Sequence, residues 1–151
     1  MAMKRIAGRT TPYGLWRYGD DFRKAANYIL IYEHSKYFMP LYFLLGQSIE
    51  LSLKAFLLAR GTALADLRGK QYGHDLIKIV EECRRRRIGK YVKLTNLEVG
   101  ALRILNLTYK PRQLQYIETG TMHLPEVQII HGIAEKLSAG LEAHCHKATE
   151  W

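Results

Sequence analysis

Acidic residues are scarce in this chain. Fourteen Asp and Glu face twenty-three Lys and Arg, a formal net charge of +9 over 151 residues. An excess of that size favours contact with polyanions: RNA, DNA, a nucleotide or an acidic protein. Cysteine is scarcer still. Cys83 and Cys145 alone exclude a disulfide framework and predict a reducing, cytoplasmic setting. Proline occurs only four times, which leaves long stretches free to be helical. No uncharged apolar run reaches the ~18–20 residues that a membrane span needs. The longest covers residues 37–49 and stops at Glu50. The basic start lacks the apolar segment of a signal peptide. There is no Gly-rich phosphate loop, no Gly-x-Ser-x-Gly elbow and no strand-like alternation. No cofactor or metal is expected.

Helical periodicity fills most of what remains. Residues 1–14 read as a basic lead-in with breakers at Gly8, Pro12 and Gly14, and residues 15–151 as a single domain. Apolar residues recur at helical spacing over 15–34 (Phe22, Ala25, Ala26, Ile29), 74–86 (Leu76, Ile79, Val80, Cys83) and 95–109 (Leu97, Ala101, Ile104, Leu105, Thr108). They do so again over 125–146 (Val127, Ile130, Ala134, Leu137, Leu141). Residues 41–60, after Pro40, are apolar nearly all round and predict the central helix, closed by Gly61. Residues 62–73 read as a loop and 110–125 as a long irregular connection. The expected architecture is all-α: an antiparallel up-down bundle of four to five helices.

Two segments resemble a known family. Gly46-Gln47-Ser48-Ile49-Glu50-Leu51-Ser52-Leu53-Lys54-Ala55 is similar to the signature helix of the HEPN superfamily, and Tyr72-Gly73-His74-Asp75-Leu76 to the opening of its third helix. A looser match joins Tyr109, Arg112 and Tyr116, although no Pro follows that tyrosine. The resemblance implies a HEPN-like bundle that forms a homodimer. It further implies a non-catalytic nucleotide- or RNA-binding module, or the partner of a minimal nucleotidyltransferase. The alternative it carries is a metal-independent endoribonuclease of toxin or defence type. Such members have an Arg, then four to six intervening residues, then a His. Arg68 and His74 are the one formal match here, in the loop before the third helix. Arg103 is followed six residues later by Tyr109 and Arg112 has no His close after it, which favours the non-catalytic reading.

The remaining candidates are read from residue chemistry. Gln47, Glu50 and Lys54 share one helix face and form either an ion-paired stripe or the lining of a groove or interface, with Asp75, Arg112 and Tyr116 beside it. Asp75 caps a helix start, or with His74 forms an anion site. Arg84, Arg85, Arg86, Arg87, Lys90 and Lys93 lie within ten residues without an acid. They are a solvated face or a phosphate-contact patch, with Tyr91 able to stack on a base. Glu142, His144, Cys145 and His146 do not make a metal site, because adjacent helical residues diverge by about 100°. A basic surface that meets an acidic protein is a third reading, and no membrane contact is expected.

Overall fold

A computed structural model describes residues 9–32, 38–112 and 123–149. The described residues are all-α: α1 (Pro12–Tyr32), α2 (Phe38–Ala59), α3 (Leu64–Arg68), α4 (Leu76–Arg85), α5 (Asn96–Tyr109) and α6 (Val127–Ala148), with a 3-10 turn at Ile88–Lys90. Six helices replace the expected four to five, because α3 forms inside the segment read as a loop. The lead-in also ends earlier than expected. Pro12 opens α1, since a proline lacks only an N–H that the first turn leaves unbonded.

The central helix is α2. Leu45, Ile49, Leu53, Phe56 and Leu57 are fully buried, and α1, α3, α4, α5 and α6 all pack on it. Its span Met39–Ala59 is long and apolar enough to cross a membrane by length and composition, which corrects the expectation that no segment qualifies. Two-thirds of that span is buried inside the bundle, as a core helix requires. It ends in a paired turn: Thr62 N–H bonds to Leu57 O, Gly61 N–H to Leu58 O, and Gly61 takes φ 96°. That is a left-handed position which glycine occupies without strain.

Side-chain pairs fix the directions. Tyr13 meets Thr149, Trp16 meets Ser138 and Arg23 meets Glu135, so α1 and α6 run antiparallel. The sense differs between α2 and α4, where Glu50 meets His74 and Leu53 meets Cys83. These two run the same way, because α3 and the following turn carry the chain back to the middle of α2. The α2–α4 pair is therefore not the simple up-down alternation expected.

Periodicity placed part of the inner face of two helices, with Ala26 in α1 and Ala101, Leu105 and Thr108 in α5 buried as expected, and missed the rest. Leu97 and Ile104 are exposed, and Val99, Leu102 and Tyr109 take the inner face of α5. That helix is apolar on more than one face, and long-range polar bonds choose between them: Lys136 reaches Glu98, and Tyr109 reaches Glu50. In α1, Ala25 is exposed and Phe22 half-buried, whereas Trp16, Gly19 and Asp20 are buried.

Candidate functional site

The two family-like segments meet at Glu50. This glutamate is 4% exposed, and its carboxylate accepts from three sides: Lys54 Nζ at 2.8 Å, His74 Nδ1 at 2.8 Å and Tyr109 OH at 2.7 Å. Gln47 Nε2 donates to Tyr109 OH at 2.9 Å and extends the chain of bonds. A buried carboxylate costs several kcal/mol unless paired, and here both oxygens have donors: His74 and Tyr109 on Oε1, Lys54 on Oε2. Burial, and next to it the Glu50 carboxylate, pushes the Tyr109 phenol up, so Tyr109 remains a donor.

Residues 73–76 each have a task. Gly73, at φ 52°, turns its carbonyl onto Lys54 Nζ at 2.8 Å. His74 binds Glu50. Asp75 caps α4 by accepting from Lys78 N–H at 3.1 Å. Leu76 is fully buried, and its N–H donates to Asn106 Oδ1. Asn106 returns a bond to Asp75 Oδ1 at 3.0 Å, and Lys110 Nζ stands 3.3 Å from Asp75 Oδ2. Burial opposes the charge on Asp75, but these three donors outweigh it and hold its carboxyl below the usual value.

Tyr109 reaches Glu50 only because residue 46 has no side chain. A Cβ on Gly46 would stand 2.5 Å from the Tyr109 ring. Sequence reasoning left Tyr109 and Asn106 out of the site. A tyrosine and an asparagine on the inner face of an apolar helix, each needing a polar partner, were the signal.

A cavity of about 420 Å³ opens beside Glu50. Its charged lining is Lys54, Arg68, Lys70 and Arg112 against Glu50 alone, with His74 at the wall. Glu50 is already engaged by Lys54, so among the described residues Arg68, Lys70 and Arg112 form no ion pair; Arg68 donates to the neutral Thr10 Oγ1. A second cavity of about 400 Å³ shares Lys70, His74 and Arg112 and adds Lys78 and Lys110 with Asp75. The nitrogen of His74 bonded to a carboxylate carries a proton, so in the neutral ring Nε2 is the free acceptor. Arg68 and His74, six residues apart in sequence, thus line one cavity.

The arginine run stands at the other end of α4. Glu82 takes two of its members, Arg85 at 2.6 Å and Arg86 at 3.1 Å, so the run is less free than its sequence implies. Arg84 donates to Leu94 O. Arg87, Lys90 and Lys93 are exposed. Tyr91 stacks on His144 at 4.4 Å between ring centroids. Tyr116 lies outside the described residues.

The other candidate clusters diverge. His144 stacks on Tyr91, His146 packs edge-on against Tyr13, and Glu142 lines a separate cavity by Asp20. Among the described residues no three His, Cys, Asp or Glu side chains come together to hold a metal. Burial raises the Cys83 thiol and pushes Cys145 up to about 12, so neither is a ready nucleophile at neutral pH. No family model, no curated protein and no solved structure matches this chain.

Proposed function

We propose that this chain is a HEPN-like helical-bundle module that binds a phosphate group, of a nucleotide or of RNA, in the cavity beside Glu50 and His74. It acts without cleaving its ligand, as a cytoplasmic homodimer, alone or beside a minimal nucleotidyltransferase. One observation carries the reading: Arg68, Lys70 and Arg112 converge on a cavity whose one described carboxylate is already held by Lys54, His74 and Tyr109. A site of that composition attracts an anion, and the arginines suit phosphate oxygens. Calorimetric titration with AMP tests it. Binding should weaken with salt, and by about tenfold in Arg68→Ala or Arg112→Ala. Affinity unchanged in both variants would refute the assignment.

A second reading is a metal-independent endoribonuclease. It is favoured by the Glu50–His74 bond, which orients the imidazole and leaves Nε2 as a proton acceptor at the wall that Arg68 shares. A mixed RNA panel incubated in chelator, beside a His74→Ala control, decides between the two. Intact RNA supports the binding module. Cleavage that disappears in the control establishes the nuclease.

A further inference from the structure

The two cationic regions are joined by one helix, and this inference rests on the phosphate-binding reading above. His74 stands at the start of α4, and Arg84, Arg85 and Arg86 at its end. Ten helical residues rise about 15 Å. Lys78, which is exposed, lies one turn beyond His74, and Arg85, which pairs with Glu82, lies on the same side two turns further on. Past the helix end, Arg87, Lys90 and Lys93 are exposed and form no ion pair among the described residues.

A second observation singles out the same two ends. Among the described residues only two non-glycine residues have positive φ: Arg87 at 66° and Arg112 at 62°. Arg87 occupies the turn that closes α4, with its N–H on Arg84 O. Gly61 fills the corresponding position after α2. A side chain there is strained, which glycine avoids. The chain thus keeps a strained arginine at the helix-end turn and another at the cavity. Strain retained at charged, exposed positions points to a use for the side chain rather than for the backbone.

We infer that the cavity at His74 and the turn carrying Arg87, Lys90 and Lys93 are the two ends of one track for single-stranded RNA, laid along α4. A polynucleotide carries a phosphate about every 3.4 Å at duplex spacing, and at wider intervals when extended. The track therefore spans about five phosphates or fewer. A dinucleotide fills one end, and an octanucleotide reaches both. Glu81, exposed on the same stretch, opposes the strand.

The test is fluorescence anisotropy of the full chain with labelled oligoadenylates of two and eight nucleotides. The octamer should bind on the order of 100-fold more tightly than the dimer, because the second contact is intramolecular. Its salt dependence should be steeper by about 2 in log–log slope, at roughly 0.7 per added phosphate contact. Combining Arg87→Glu with Lys90→Glu should return the octamer to dimer affinity and leave the dimer unchanged. Arg87→Gly, which relaxes the backbone, should lower octamer affinity without loss of stability. Glu81→Gln should raise octamer affinity. A dimer that binds with no gain on lengthening overturns the track and spares the cavity. A gain that survives the double charge reversal also overturns the track. Polyglutamate that binds as tightly as the octamer assigns the surface to an acidic protein instead. Failure of every oligonucleotide to bind at low salt overturns both the track and the cavity reading.

Discussion

Two buried carboxylates organise this bundle, and they do so differently. Glu50 and Asp20 are each nearly inaccessible, at 4% and 6% exposed. Each accepts from a cation on its own helix, and each adjoins a cavity, of about 420 Å³ and 540 Å³. At Asp20 acids outnumber cations around the cavity, four to three. Arg23, Lys24 and Ser138 hold the carboxylate, Arg23 also reaches Glu135, and Asp21 and Glu142 line the same cavity. At Glu50 the excess is of cations, because among the described residues Arg68, Lys70 and Arg112 pair with no carboxylate. A buried acid is therefore not by itself a sign of a site. What distinguishes the Glu50 side is charge left over after the internal pairs are made.

The largest expected effect separates the two centres by stability. Glu50→Ala strands Lys54, which is 9% exposed, and should cost about 3–5 kcal/mol in urea unfolding. Asp20→Ala should cost less, about 1–3 kcal/mol. Lys24 is largely in solvent, and Arg23 keeps Glu135. Equal losses would break the comparison.

Glycine substitutions sharpen it. Gly46→Ala places a Cβ 2.5 Å from the Tyr109 ring and must displace the hydroxyl from Glu50. Gly19→Ala on the other side meets Ser48 O and Ser52 Oγ at 3.1 Å. The first should destabilise by about 1–3 kcal/mol. The second should cost less, since its contacts are at 3.1 Å rather than 2.5 Å, while the gain in helix propensity is common to both. Thermal unfolding of the pair checks the order.

Binding gives the third contrast. Arg112→Gly should weaken AMP binding about tenfold, as the loss of one charged phosphate contact does. Its melting temperature should hold or rise, because glycine relaxes φ 62°. Arg17→Ala, in the Asp20 cavity, should leave AMP affinity unchanged.

Acid gives the smallest effect, and both centres share it. Asp20 and Asp75 are held below the usual 3.8; burial opposes their charge, and their hydrogen-bond donors outweigh it. A carboxyl depressed on folding supplies stability that is fully present above its unfolded value and is lost as pH falls through the folded one. The urea midpoint should therefore fall as pH drops below 3.8, and Asp20→Asn should flatten that fall. An unchanged profile in Asp20→Asn would remove Asp20 from the account.

Much of the Glu50 centre was legible because its residues sit in two short segments whose types constrain one another. Glu50 and Lys54 are one turn apart, and an acid–base pair within a helix apolar all round demands further partners. Gly73, His74 and Asp75 read as a turn and a cap, which they are. Their meeting with Glu50 was not legible, since it depends on α3 returning the chain to the middle of α2. The third donor, Tyr109, was obscured for another reason. Apolar residues on more than one face of α5 left its roll undetermined, and the periodicity picked Leu97 and Ile104 in place of Val99 and Leu102. The neutralisation of Arg85 and Arg86 was within reach, because Glu82 lies three and four residues before them. Counting only residues 84–93 concealed it.

The most direct measurement is a two-dimensional NMR titration of isotope-labelled protein with AMP at low salt, reading the His74 ring and the backbone of Lys70 and Gly73. Saturable shifts are expected at these residues, with saturation needing about tenfold more AMP in Arg68→Ala and the signals of Asp21 and Glu142 unmoved. Shifts centred on the Asp20 cavity, or none at any residue, would contradict the phosphate-binding reading.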